Sequence, residues 1–198
     1  SAASDVYKRQ VWDANYLHIA KLYWQHHFSD RLRFMSGYEL EYLKAEQDYH
    51  VADWNGTGFM PDAERSSDFT HFMTLHSLYT TLEMTAGQWN VLTGLRGEYA
   101  DIENKLISQG QNLTRNYFHL YPTLHLSRPI KNNQLMMSYS LRVNRPEGSD
   151  MNPFAERINP LSLEAGNPDL KPEKTHSLEA GWLWRMGNGG SLMSTVYY

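Results

Sequence analysis

The feature that most constrains this chain is a strict alternation of apolar and polar residues, with charge on the polar side, sustained over unusually long segments. From Trp89 to Tyr99, the residues Trp89, Val91, Thr93, Leu95, Gly97 and Tyr99 fall on one side, and Asn90, Gly94, Arg96 and Glu98 on the other. Side chains alternate across a β-strand, so this spacing describes a strand with one apolar and one charged face. Leu32, Phe34, Tyr38, Leu40 and Tyr42 oppose Arg33, Gly37, Glu39 and Glu41 in the same way. Leu135, Met137, Tyr139, Leu141 and Val143 oppose Ser138, Ser140, Arg142 and Asn144, while Leu178, Ala180, Trp182 and Trp184 oppose Ser177, Glu179, Gly181 and Arg185.

The pattern predicts about eight strands, near 15–28, 31–46, 69–86, 89–105, 114–129, 134–145, 175–186 and 191–198. Globular strands usually run to about five or six residues, and most of these are roughly twice that or more. Tight turns are expected at Ser29-Asp30, Gly87-Gln88, Lys131-Asn132-Asn133 and Gly187-Asn188-Gly189-Gly190, whose residues tolerate positive φ or bond their own backbone. Long polar loops are expected at 47–68, 106–113 and 146–174, which carry most of the prolines. Short turns at one end and long loops at the other, joined by amphipathic antiparallel strands, are the organisation of an outer-membrane barrel. A strand in lipid cannot satisfy its own backbone, so such strands must pair and eventually close, with apolar side chains toward lipid and polar ones toward the lumen. A soluble sandwich or lipocalin-like barrel would put its apolar face inside.

Composition removes other classes. With 198 residues, a net charge of -4 and no basic stripe, the chain has no means of displacing counterions, and nucleic acid is not an expected partner. The absence of Cys removes disulfide frameworks, thiolate zinc sites and Cys nucleophiles together. No run of ~20 apolar residues could cross a bilayer as a helix. Tyr16, Phe28, Trp89, Trp182 and Trp184 lie near strand ends, where an interfacial girdle would sit, although strands favour aromatics generally. The first ten residues, Ser1 to Gln10, read as the in-frame translation of a transposase-type sequencing adapter, TCG GCA GCG TCA GAT GTG TAT AAG AGA CAG. They are set aside from fold reasoning as non-native, leaving 11–198 as the barrel domain, whose coding sequence is expected to begin upstream of Val11.

Several motifs carry a family resemblance. Gly166-Asn167-Pro168-Asp169-Leu170-Lys171-Pro172-Glu173, followed by Glu179 and Gly181, resembles the GNPxLKPE…ELG segment of TonB-dependent outer-membrane receptors. Tyr139-Ser140-Leu141-Arg142-Val143-Asn144-Arg145-Pro146, with Met151-Asn152-Pro153-Phe154, resembles the YSxRxxRP…LNPF pattern of the Bacteroidetes-type outer-membrane β-barrel family within that group. Gly94-Leu95-Arg96-Gly97-Glu98 is similar to its GLRxE strand, and Tyr117-Phe118 through Pro122 to its YFxxxP strand. The resemblance runs in order across most of 31–198 and implies energised import through a barrel of about 22 strands that encloses a plug. The partners it implies are outer-membrane lipid, a small nutrient ligand such as a siderophore, glycan, peptide or cobalamin, and the TonB system acting through a plug domain absent from this chain. It also admits a surface lipoprotein. No plug or TonB box is visible in 11–198, and about eight strands fall far short of closure. The expected fold class is therefore all-β: an antiparallel, open, partial section of a large transmembrane barrel, truncated at both ends.

Candidate chemistry is thin. Asn167-Pro168 and Lys171-Pro172 hold the preceding residues extended and read as structural. His26 and His27 are adjacent and point to opposite faces, while His119 and His125 share parity but lie too far apart to ligate one ion. Asn55-Gly56-Thr57 and Asn112-Leu113-Thr114 match the glycosylation sequon by chance. No GxSxG, HExxH, P-loop or GxGxxG signature occurs, and neither enzymatic activity, cofactor nor metal is expected. Two other classes share the alternation: an outer-membrane hydrolase, which would carry Ser/His or Asp/His on its outer rim, and a passive adhesin, which would lack a plug.

From parity, Arg33, Glu39, Glu41, Arg96, Glu98, Tyr117, His119 and Arg142 are expected to face the lumen, and Phe34, Leu95, Met137, Leu141 and Trp182 the lipid. The long loops at 47–68 and 146–174 are expected outside the cell and the tight turns in the periplasm. Trp54, Phe59 and Arg65, large side chains among polar neighbours, are the candidate ligand contacts in the first of these loops.

Overall fold

A computed structural model describes residues 7–159, 161–187 and 189–198. Ten strands follow one another among them: β1 (Tyr7–Ser29), β2 (Leu32–Trp54), β3 (Phe59–Ala86), β4 (Trp89–Leu106), β5 (Gln111–Ile130), β6 (Asn133–Asn144), β7 (Glu156–Asn159), β8 (Ser162–Glu164), β9 (Glu173–Arg185) and β10 (Ser191–Tyr197). Eight form one antiparallel sheet in the order β1-β2-β3-β4-β5-β6-β9-β10, and β7 and β8 pair apart as a small hairpin. Each neighbour in the sheet follows its predecessor in the chain except at β6 to β9, where 145–172 intervenes. Among the described residues β1 pairs only with β2 and β10 only with β9, so the sheet is open, as the sequence led us to expect.

The strands outrun their apolar alternation. The segment 47–68, expected as a loop, is a continuation of the β2–β3 hairpin, and its tip is only the turn after Trp54. Asn55 closes that turn, its Oδ1 accepting the N–H groups of Thr57 at 2.9 Å and Gly58 at 3.0 Å. Tyr49 pairs with Ser67 but Val51 pairs with Asp62, so residues 63–66 bulge out of β3. The loop expected at 106–113 likewise shrinks to a 3-10 turn at Ile107–Gln109, ended by Gly110 at φ 64°. A ladder of backbone hydrogen bonds needs no apolar outer side, and in the β2–β3 extension Asp48, His50 and Asp68 on that side interrupt the alternation. Of the three expected loops only 146–174 remains largely strand-free. At the other end of the chain, Tyr7–Gln10 extend β1 in register with His50–Asp53 of β2. Backbone pairing at a sheet edge asks little of side chains, so these four residues lengthen the ladder whatever DNA encoded them.

The two faces differ sharply. Leu22, Trp24, Tyr38, Leu78, Leu95, Phe118, Leu120, Met137, Leu178 and Trp184 share one face and are exposed. On this face β2, β3 and β4 carry no Asp, Glu, Lys or Arg between the turns and Lys44, Asp68 and Asp101. In β4 that charge-free run, Trp89–Tyr99, rises on the order of 35 Å along the strand, or ~25 Å when tilted by ~45°, the height of a barrel's lipid-facing band. The opposite face supplies the buried residues of the sheet's loop end, among them Tyr49, Val51, Phe69 and Leu106, which close over Phe154 of the 145–172 segment.

Candidate functional site

All eight residues expected on the lumenal side share the charged face, and the five expected toward lipid share the other. The register sets Lys21, Glu39, Ser77, Glu98 and His119 in one row across β1 to β5. Along that row the charges connect. Lys21 Nζ lies 3.3 Å from Glu39, Arg96 Nη1 lies 3.5 Å from the other oxygen of Glu39, and Arg96 Nε donates to Glu98 at 2.6 Å. Arg96 also donates to Ser77 Oγ at 2.8 Å, and its guanidinium lies 5.9 Å from the Tyr79 ring. Tyr79 occupies the space above Gly37, where a Cβ would fall 2.3 Å from its ring. Arg145, just beyond β6, completes the chain by donating to Glu98 and, through Nε, to Tyr117 Oη at 3.2 Å. Glu98 is only 4% exposed, and its two arginines supply the pairing that a buried carboxylate requires. Burial is the largest single influence and works against the Arg145 cation, but Glu98, Tyr117 and Tyr121 together outweigh it and hold its pKa above the ordinary arginine value.

The motif segment roofs this face. Asn167 N–H donates to the carbonyl of Asp150 at 2.7 Å, and Gly166 N–H to that of Asn152 at 2.7 Å. The GNPDLKPE stretch is thereby clamped to the MNPF stretch. Gly166 is needed there because a Cβ would sit 2.4 Å from the Asp150 carbonyl oxygen, against rigid backbone. Asn152 is buried, donates through Nδ2 to Gln47 Oε1 at 2.9 Å and accepts from Phe154 N–H at 3.0 Å. Phe154 packs against Tyr49, with ring centroids 6.0 Å apart. Met151 covers Asn104, whose Oδ1 lies 2.6 Å from Nδ1 of the buried His71. Pro146, Pro153, Pro168, Leu170, Pro172 and Glu173 belong to the same segment or its exit into β9.

Between this roof and the loop end of β3 to β5 lies a cavity of about 580 Å³. His71, Asn104, Tyr117, His119 and Lys174 line it from the sheet, and Arg145, Met151, Leu170 and Lys171 from above. Of the expected residues, Glu39, Arg96, Glu98, Tyr117 and His119 are thus brought together by the ladder and the cavity. Arg33 pairs with Glu83 near the turns, far along the sheet. Glu41 and Arg142 share the face, in register with Leu75 and Thr175 respectively.

Trp54, Phe59 and Arg65 prove not to be loop residues. Trp54 ends β2 and Phe59 begins β3, and the two rings meet edge to face 5.2 Å apart at the hairpin tip. Arg65 sits in the β3 bulge, where it donates to Asp53 and, at 2.6 Å, to Asp62; the side-chain and backbone hydrogen bonds that Asp62 accepts from Arg65 hold its carboxyl below the usual range. Sequence reasoning also missed Asp48, His50 and Asp68, whose ligand atoms lie within 4.8 Å of one another on the other face, beyond the charge-free band. Their only signal, two carboxylates facing each other across β2 and β3, is invisible until the register is known.

The sequence model of the outer membrane protein beta-barrel family matches residues 2–198. The chain belongs to that family. No match was found among curated protein sequences. Among solved structures, the ferric yersiniabactin uptake receptor FyuA from Yersinia pestis matches with a TM-score of 0.65 at 12% identity, over 96% of this chain and 29% of that one. The copper transporter OprC matches at 0.64 and 14% identity, over 96% and 30%. The unliganded ferric citrate transporter FecA matches at 0.60 and 11% identity, over 96% and 28%. The chain therefore spans under a third of the length of these neighbours, and its sheet has the fold of one section of their barrels. The chain is thus part of an outer-membrane β-barrel.

Proposed function

We propose that this chain is part of the barrel wall of a TonB-dependent receptor that imports a nutrient ligand across the bacterial outer membrane, with its plug and TonB box encoded outside these residues. The observation that carries the reading is the connected charge ladder, which crosses β1 to β5 and ends under the roof formed by the family motifs. A small closed barrel fills its interior with side chains, whereas a face this rich in ion pairs suits a wide, plugged lumen. In this reading Arg33, Glu39, Glu41, Arg96, Glu98, Tyr117, His119 and Arg142 face the lumen, the loop end is extracellular, and the Trp54–Phe59 tip is the first surface an incoming ligand meets. Residues 1–10 are carried over from library DNA, and the native barrel continues on both sides of 11–198. The test is uptake in cells that carry the complete gene. Accumulation of a siderophore, glycan or peptide should require both this gene and an energised inner membrane. Binding without energy-dependent accumulation would instead identify an adhesin.

A further inference from the structure

We infer that the roofed cavity is a subsite for a small polyanion, a ligand carrying at least two carboxylate or phosphate groups. The inference rests on the receptor reading above and names the ligand chemistry of that receptor. The cavity's volume of about 580 Å³ lies within the roughly 300–1,000 Å³ of small-molecule sites, and its walls mix apolar surface with a few convergent polar groups. Its charge is one-sided: Arg115, Arg145, Lys171 and Lys174 line it, and no Asp or Glu does. Two of these cations are already neutralised, Arg145 by Glu98 and Arg115 by Asp169.

Lys171 and Lys174 have no acidic partner within ion-pair distance among the described residues, so the cavity keeps two unneutralised ammonium groups. Lys174 Nζ lies 3.2 Å from His119 Nδ1, which places the ammonium at the edge of the His119 ring, itself stacked on Tyr117 with centroids 5.0 Å apart and 28° from parallel. Pro172 holds the Lys171 backbone extended in the roof that Gly166 clamps in place. A ligand with two oxyanions can thus meet both lysines while its body rests on Tyr117. Such charge-assisted contacts are about twice as strong as neutral hydrogen bonds. A neutral sugar offers the cavity no charge to set against the lysines.

The experiment uses the complete receptor, purified in detergent, with calorimetry of citrate and inorganic pyrophosphate as probes and maltose as the neutral comparison. Citrate or pyrophosphate should bind, with affinity falling as salt rises, and maltose should not; whichever anion binds more tightly identifies the carboxylate or the phosphate class. Lys171→Gln and Lys174→Gln should each weaken binding by about tenfold, the loss of one hydrogen bond to a charged group. Lys44→Gln, on the other face, should leave it unchanged. Heat-modifiable migration confirms that each variant is folded. Binding of neither anion, or equal binding by the Lys171→Gln/Lys174→Gln double variant, overturns the subsite. Energised uptake is scored separately: anion binding through the two lysines without energised uptake refutes the transport reading and leaves the subsite standing, and energised uptake without anion binding does the reverse.

Discussion

Glu98 is the residue on which the charged face depends, and replacing it with Gln isolates that dependence because the volume hardly changes. The carboxylate is 4% exposed and serves both Arg96, at 2.6 Å, and Arg145. Removing one partner of a buried ion pair costs about 3–5 kcal/mol, mostly from the charge left behind. Here the stranded cations are not fully enclosed, since the Arg96 and Arg145 side chains keep 31% and 23% exposure. Arg96 also retains Glu39 at 3.5 Å, and Arg145 retains Tyr117 at 3.2 Å. The expected loss from Glu98→Gln is therefore about 2–3 kcal/mol, just below that range. The Arg33–Glu83 pair supplies the comparison, because its side chains are 44% and 46% exposed; Glu83→Gln should cost only about 0–1 kcal/mol. Urea unfolding of the complete receptor in lipid vesicles, followed by tryptophan fluorescence, measures both. In a double-mutant cycle, Glu98→Gln and Arg145→Gln should couple by at least about 1 kcal/mol. If Glu98→Gln shifts the midpoint no more than Glu83→Gln, the ladder does not hold the wall together.

Other consequences reach different parts of the molecule. Gly166→Ala places a methyl group against the Asp150 carbonyl, so the 145–172 segment should undock and become sensitive to limited proteolysis while the barrel keeps its heat-modifiable migration. Leu95→Arg puts a charge inside the apolar band and should cost ~2–4 kcal/mol near the bilayer midplane, read as reduced assembly, whereas Thr57→Arg at the hairpin tip should have no effect. Cysteine at Thr57 should react with an impermeant reagent on intact cells, and cysteine at Asn132 only after permeabilisation; the reverse pattern would invert the proposed orientation.

Much of this was legible in the sequence because a two-residue period assigns faces without any knowledge of register. Arg96 and Leu95 had to point opposite ways once the strand was recognised, and so did Arg142 and Leu141. What remained hidden depends on register or on long-range docking. Lys21 carries no motif, and only its pairing opposite Glu39 makes it the end of the ladder. The two motif stretches were readable as rigid, proline-bounded segments, but not as partners, because their two hydrogen bonds join backbone atoms. The β2–β3 extension escaped because its outward residues Asp48, His50 and Asp68 are charged or polar, so the apolar alternation stops there. Trp54 and Phe59 therefore looked like loop residues, although their cross-strand pairing makes them the tip of a long hairpin.

The most direct test of the central claim, that alternate residues of these strands line a lumen and meet lipid, is cysteine accessibility at adjacent pairs in the assembled receptor. Cysteines are placed singly at Leu95, Arg96, Leu141 and Arg142, and each is exposed to a hydrophilic maleimide and, separately, to a lipid-soluble reagent. Positions 96 and 142 should react with the hydrophilic reagent, and positions 95 and 141 only with the lipid-soluble one. Hydrophilic labelling at 95 and 141 with protection at 96 and 142 would contradict the assignment of faces and, with it, the reading of this chain as a barrel wall.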